Sequence, residues 1–147
     1  MRDDLLYTVG YEGWEIDNFV SYIKNNKIRC IIDVREIPLS RKKGFSKTAL
    51  KNRLADAAIN YIHMPELGSP RDIRQKLKAD RNYEYFFKVF SDYISQKKDS
   101  IEELYQKIVN EVCCLLCYEH SSSKCHRSIV ANEIKSLNGN GLAIKNI

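Results

Sequence analysis

The residues with most capacity for chemistry lie close together near the C-terminal end of the chain. Leu116-Cys117-Tyr118-Glu119-His120 is followed, after a short polar stretch, by Cys125-His126-Arg127. This run offers two thiols, two imidazoles, a carboxylate and a guanidinium. Cys125 falls where a helix is expected to start, and unpaired N–H groups and the helix dipole at that end favour negative charge. A thiol there has its pKa lowered from ~8.5, which makes Cys125 a candidate nucleophile, with His126 or His63 as its base. Arg127 adds a planar donor fork suited to phosphate or carboxylate. The alternative is a buried cysteine that packs the helix, with Arg127 in an ion pair with Asp33 or Glu119. Glu119, beyond a buried strand and near cationic side chains, is a candidate general acid–base or a structural partner of an arginine.

A metal reading uses the same residues. Cys117, His120, Cys125 and His126 are close enough in sequence to converge on one ion, a weaker alternative to a site without metal. Cys114 and Cys117 have a zinc-like or redox-like spacing, but inside a strand such residues point to opposite faces. The glycine-rich dinucleotide fingerprint, the Walker loop, a Cys-x5-Arg phosphatase loop and the Gly-x-Ser-x-Gly elbow are all absent.

Positioning these groups requires an alternation of strands and helices. Strands are expected at Leu5–Val9, Cys30–Val34, Tyr61–Met64, Val112–Cys117 and Leu142–Ile144, from apolar and β-branched runs bounded by turn residues. Ile16, Phe19, Val20 and Ile23 repeat at helical spacing, and the helix ends near Asn25-Asn26. Ser46 is placed to cap a second helix, with Phe45 stapling onto Leu50 and with Leu50, Leu54, Ala57 and Ala58 inward. From Ser69 to Lys98 the chain reads as mainly helical, with Tyr83, Phe86, Phe87, Phe90 and Ile94 as a core stripe. Ser100-Ile101-Glu102-Glu103 reads as a capping box, and a last helix spans Cys125 to Leu137, closed by Asn138-Gly139. The expected fold is a single α/β domain over residues 1–147: a three-layer sandwich on a mostly parallel sheet, Rossmann-like or flavodoxin-like.

In such a sheet ligands bind beyond the carboxyl ends of the strands. Those ends carry Thr8, Gly10, Tyr11 and Glu12; Asp33 and Arg35, with Ser40 and Arg41 behind; His63, Glu66 and Gly68; and Cys117, Glu119 and His120. The expected catalytic residues are Glu119, Cys125, Asp33 and His63. Gly10, Tyr11, Arg35, Ser40, Arg41, Cys117, His126 and Arg127 are expected to bind the ligand.

Composition narrows the class. The chain has 147 residues, 44% hydrophobic and 29% charged, with 6 Gly and 3 Pro, which excludes collagen-like, disordered and disulfide-scaffold proteins. No apolar run approaches the ~20 residues of a membrane helix, and Met1-Arg2-Asp3-Asp4 does not read as a secretion signal. The five cysteines therefore read as reduced thiols of a cytoplasmic protein. The net charge of +5 is local: Ser40 to Ala55 holds Arg41, Lys42, Lys43, Lys47, Lys51 and Arg53 with no acid, and the rest has 18 basic against 19 acidic residues. This segment is either a patch for polyanions or a solvated helix face.

Several of these segments together resemble one family. Thr8-Val9-Gly10-Tyr11, Asp33-Val34-Arg35, Pro38 with Ser40-Arg41, Tyr61 to Gly68, Leu116 to Glu119 and Cys125-His126-Arg127 look like the bacterial and archaeal "domain of unknown function 488" family. The similarity runs from about Leu6 to the C-terminus, and its most specific part is Cys-x-Glu followed by Cys-His-Arg. Tyr11 stands where many members of that family carry His. The resemblance implies an α/β sandwich and an enzyme role of undefined activity.

The functional expectation is an enzyme of hydrolase or transferase type that binds an anionic ligand, a nucleotide or nucleic-acid-derived molecule, at the carboxyl edge of the sheet. Two alternatives stand beside it: a nucleic-acid-binding module using the Arg41 to Arg53 segment, and a Cys/His metal-binding protein. The sequence defines no cofactor and no oligomeric state.

Overall fold

A computed structural model describes residues 5–121, 125–137, 139 and 141–147. The expectations placed on Met1 to Asp4 and on Asn138 lie outside the described residues. Five strands, β1 (Leu5–Gly10), β2 (Cys30–Asp33), β3 (Asn60–His63), β4 (Cys113–Cys117) and β5 (Ala143–Asn146), form one sheet in the order β3-β2-β4-β1-β5. Every pairing is parallel. Six α-helices accompany them: α1 (Ile16–Asn25), α2 (Lys47–Asp56), α3 (Arg71–Asp80), α4 (Tyr83–Ser95), α5 (Lys98–Asn110) and α6 (Arg127–Leu137). The fold is the expected α/β sandwich, but its strand order is neither the 3-2-1-4-5-6 nor the 2-1-3-4-5 arrangement of the two common doubly wound sheets.

Side-chain alternation along the strands explains the two cores. Leu6, Cys30, Ile32, Cys113, Leu115 and Cys117 face one side, where Phe90, Ile94, Leu104, Ile108, Val130 and Ile134 of α4, α5 and α6 cover them. Tyr7, Val9, Ile31, Cys114 and Leu116 face the other, under Phe19, Val20 and Ile23 of α1 and Leu50 and Leu54 of α2. Cys114 and Cys117 thus point to opposite cores, as strand geometry requires. β4 is the central strand and is buried along its whole length, which is why it reads as an unbroken apolar run.

The order of strands also creates the cleft. The chain leaves β1 and β2 toward the α1–α2 layer, whereas it leaves β4, which lies between them, toward the α6 layer. Connections that diverge from neighbouring parallel strands open a crevice at their carboxyl ends. Three backbone bonds hold its floor: Tyr11 N–H to Cys117 O (3.0 Å), Glu12 N–H to Tyr118 O (2.8 Å) and Val34 N–H to Leu116 O (3.1 Å).

Local expectations meet three corrections. α5 begins two residues before Ser100, with Lys97 at the N-cap and no side-chain cap, so the capping box is overruled. Ser46 does occupy the N-cap of α2, yet its hydroxyl caps nothing; it accepts from Ser40 N–H (3.0 Å) and donates to Ser40 O (3.1 Å). Ala58 lies past the end of α2 at φ 59°, exposed, and is not part of its inner face.

Candidate functional site: a cationic cleft at the carboxyl edge

The segments after β1, β2 and β4 line a cleft of about 1070 Å³, closed on another side by α3 and the start of α4. Of the expected residues, Tyr11, Arg35, Ser40, Arg41, Cys117, Glu119 and His126 line it. The cleft also contains a group that sequence reasoning missed. Arg74, Lys78 and Arg81 reach it from α3 and the residue after it, with Leu77 beside them. α3 has no buried residue. Its only signal in the sequence was a basic helix with too thin an apolar stripe, Ile73 and Leu77, to belong to the core.

Asp33 and Arg35 form the most buried ion pair. Arg35 Nε and Nη2 donate to the two Asp33 carboxylate oxygens at 2.8 and 2.7 Å, and Nη1 donates to Phe45 O (2.7 Å) and Tyr11 OH (3.4 Å). Tyr61 OH donates to the same carboxylate. Burial alone would pull the Arg35 pKa down, but the Asp33 carboxylate outweighs it and raises it. Asp33 is fully buried and does not line the cleft. His63 Nε2–H donates to Arg35 O (2.7 Å) and is likewise outside the cleft lining. Both residues hold Arg35, whose guanidinium lies 5.3 Å from the Tyr11 ring centroid. Tyr11 in turn stacks on Phe45 at 4.6 Å and meets Tyr118 edge-on at 5.3 Å. Tyr118 is half exposed.

Two glycines permit this assembly. A Cβ at Gly10 would overlap the carbonyl of Glu119, and one at Gly68 would overlap the backbone of Glu36. Gly10 therefore acts through close approach of two backbones.

Arg127 is fully buried at the start of α6 and is absent from the cleft lining. Nε donates to Thr8 Oγ1 (3.2 Å), Nη1 to Glu119 O (2.6 Å) and Cys117 Sγ (3.3 Å), and Nη2 to His120 O (3.1 Å). It meets backbone carbonyls, not the expected carboxylates. Burial lowers its pKa, although an arginine stays charged. Glu119 extends beside the sulfur of Cys117, with Oε2 3.7 Å away, and burial raises its carboxyl above the ordinary value.

Cys117 and Cys125 bring their sulfurs together, although their Cα atoms stand 7.5 Å apart, wider than a disulfide spans. Cys30, Cys113 and Cys114 are free and buried. Cys125 is buried and is not among the residues that line the cleft. His126 Nδ1 lies 3.8 Å from Cys125 Sγ while Nε2–H donates to Val34 O (2.8 Å). Burial, opposed by that bond, lowers the His126 pKa to about 4, so the ring is neutral. Of the four residues in the metal alternative, Cys117, Cys125 and His126 place ligand atoms within 4.8 Å of one another. His120 is not in that cluster; it is exposed, and its backbone N–H donates to Glu12 Oε1 (3.0 Å).

The cleft's charge is one-sided. Arg74 pairs with Glu36 at 2.8 Å and Arg35 with Asp33, but Arg41, Lys42, Lys78 and Arg81 have no ion-pair partner among the described residues. The basic segment is split: Arg41 and Lys42 face the cleft, Arg53 pairs with Asp17, and Lys51 lines a separate cavity of about 560 Å³.

Fold and site define an all-parallel α/β protein with a cationic cleft where its central strand diverges from its neighbours. The chain belongs to the family "Domain of unknown function DUF488", whose model matches residues 15–134. No curated protein and no solved structure matches it. Among the described residues no helix is long and apolar enough to cross a membrane.

Proposed function

We propose that the cleft binds an anionic ligand of nucleotide or nucleic-acid-derived type, and that the protein acts on it as a hydrolase or transferase in the cytoplasm. One observation carries the reading: Arg41, Lys42, Lys78 and Arg81, which have no ion-pair partner among the described residues, line the same cleft as Glu119, whose carboxyl is raised by burial. Ammonium and guanidinium groups around a hollow suit phosphate, and burial, by raising the Glu119 carboxyl above its ordinary value, makes it a better proton carrier than a solvated carboxylate. The half-exposed ring of Tyr118 supports stacking of a base. The volume, about 1070 Å³, is at the upper end of ordinary ligand pockets and suits a nucleotide or a strand end. In this reading Asp33, His63 and Arg127 are positioning residues, while Gly10 lets the Glu119 turn approach β1.

Calorimetric titration with mononucleotides, short single-stranded oligonucleotides and inorganic phosphate at two salt concentrations tests the reading. Binding is expected to weaken with salt and to fall by about tenfold or more in the double variant Lys42→Glu, Lys78→Glu. Glu119→Gln is expected to keep binding and lose turnover. Absence of binding to all three probes at low salt overturns the proposal. A second reading, a nucleic-acid-binding module, is favoured by the exposure of Lys43, Lys47 and Lys51 behind the cleft. It predicts that reversing those three charges removes oligonucleotide binding and leaves mononucleotide binding intact.

A further inference from the structure

Three side chains at the inner wall of the cleft converge. Cys117 Sγ, Cys125 Sγ and a ring nitrogen of His126 all lie within 4.8 Å of one another. Two elements supply them: Cys117 ends β4, and Cys125 and His126 immediately precede α6. The His126 ring is already held in one orientation. Its Nε2–H donates to Val34 O (2.8 Å), so Nδ1 keeps a lone pair, 3.8 Å from Cys125 Sγ. A histidine that ligates a metal is fixed in this way, its other nitrogen bonded to a backbone carbonyl or a carboxylate.

The spacings fit a tetrahedral ion better than a covalent bridge. The Cα atoms of the two cysteines are 7.5 Å apart, more than a disulfide spans. With bonds of ~2.3 Å to sulfur and ~2.0 Å to nitrogen, two thiolates on one zinc ion stand about 3.8 Å apart, and a thiolate and an imidazole nitrogen about 3.6 Å. The first separation needs a wider Cα spacing than a disulfide does. The second is close to the 3.8 Å between Cys125 and His126. Charge agrees with spacing. Arg127 Nη1 donates to Cys117 Sγ at 3.3 Å, a contact that favours a thiolate. Two thiolates cancel the charge of a divalent ion, and the Glu119 carboxylate offsets the Arg127 guanidinium, so the set carries no net charge. A second cluster, Cys30, Glu111 and Cys113, lacks an imidazole, and its thiols already donate to the carbonyls of Ile31 and Glu111.

We infer that Cys117, Cys125 and His126 hold a zinc ion whose fourth tetrahedral position is turned toward the cleft. Cys117 and His126 line the cleft and Cys125 does not, so the protein ligands lie behind the ion and its free face meets the hollow. Glu119 lines the same wall, with Oε2 3.7 Å from Cys117 Sγ, and stands beside that face to bond whatever occupies it. His120 is outside the cluster, so the ligand set differs from the four residues suggested by sequence spacing.

Zinc with three protein ligands and an open position polarises a bound water or substrate oxygen, whereas a closed four-ligand site only braces the fold. Burial of the sulfurs is no obstacle, because a buried ion of this kind is taken up as the chain folds. The site does not depend on which anion the cleft takes.

The test uses untagged protein, stripped with a chelator under a phosphine reductant and titrated with cobalt(II) and then zinc, with no anionic ligand present. One equivalent of cobalt is expected to bind, with the sulfur-to-cobalt charge-transfer band of two thiolates and the visible bands of a tetrahedral ion; zinc is expected to displace it. Zinc is also expected to raise the melting temperature, and a chelator to reverse the rise. Cys117→Ser, Cys125→Ser and His126→Gln are each expected to weaken uptake by about a hundredfold or more, since even an outer-shell partner costs roughly 10- to 100-fold. Cys30→Ser and Cys113→Ser are expected to leave uptake intact. The inference is overturned if the stripped wild type binds no cobalt, if the band shows fewer than two thiolates, or if Cys30→Ser or Cys113→Ser removes uptake. The wild-type spectrum decides even where a variant fails to fold. Azide is expected to shift the visible bands by entering the fourth position; unchanged bands overturn the open position alone. Because cobalt uptake is read without any cleft ligand, its failure is distinct from a failure of the calorimetric titrations above.

Discussion

The guanidinium of Arg127 lies 3.3 Å from the sulfur of Cys117, and the same Nη1 lies 2.6 Å from the carbonyl of Glu119. One buried cation therefore ties the start of α6 to the end of β4, and through Thr8 to β1. The group that looked like an anion clamp in the sequence instead sets the position of the cleft's sulfur and carboxyl.

Replacing Arg127 with Met keeps the volume but leaves the Glu119 and His120 carbonyls without their donors. The expected loss is about 2–4 kcal/mol of stability, measured by urea unfolding. Arg127→Lys is expected to recover little, because one ammonium cannot span Thr8 and both carbonyls. Full recovery by Lys would show that charge alone matters.

Asp33→Asn leaves Arg35 buried without a counter-charge. Removal of one partner of a buried pair costs about 3–5 kcal/mol, read as a large drop in melting temperature. Ligand affinity is expected to fall as well, since Arg35 carries the Tyr11 ring at the cleft wall. An Asp33→Asn protein as stable as wild type contradicts the positioning role.

Gly10→Ala forces a methyl against the carbonyl of Glu119. Overpacking of this kind costs about 1–3 kcal/mol, and here the displaced turn carries the cleft carboxyl. The expected result is a modest loss by thermal melting with a larger loss of ligand binding. Equal losses at Gly10→Ala and at Gly13→Ala would disprove the coupling of Gly10 to Glu119.

Stability should fall between neutral pH and pH 4 because of His126. Its folded-state pKa, about 4, lies below the ~6.5 of an unfolded chain, so the unfolded state binds a proton that the native state refuses. The stabilisation is complete above ~6.5 and is lost as the pH falls toward about 4, with a slope of at most ~1.4 kcal/mol per pH unit. The raised pKa of Glu119 acts in the opposite sense, since its protonation favours the native state as the pH falls. Denaturant unfolding of His126→Gln at pH 7 and pH 5 is expected to show a smaller pH difference than wild type.

The strands β1, β2 and β4 were legible because they are buried and parallel, and an unbroken apolar run such as Cys113–Cys117 has few other uses, whereas the edge strands β3 and β5 are half-buried or exposed. Their carboxyl ends pointed to the cleft for the same reason, and Tyr11, Arg35, Ser40, Arg41, Cys117, Glu119 and His126 all lie along it. Two local signals misled. Ser100 carried the pattern of a cap, but packing of Ile101, Leu104 and Ile108 against the core let α5 begin earlier. Ser46 likewise reads as a cap, but its hydroxyl bonds Ser40 instead; and no count of cysteines reveals that Cys117 and Cys125 meet in space.

By itself, then, the sequence determined the alternation of strands and helices, the family, and the polar residues that follow each strand, because these depend on short-range periodicity and on spacing along the chain. Only the tertiary structure decided the order β3-β2-β4-β1-β5, the closing of the cleft by α3 with Arg74 and Lys78, and the turning of Arg127 inward onto two carbonyls. Those outcomes depend on which distant segments meet, and a contact between residues more than 100 positions apart, such as Thr8 and Arg127, leaves no mark in the local pattern of either.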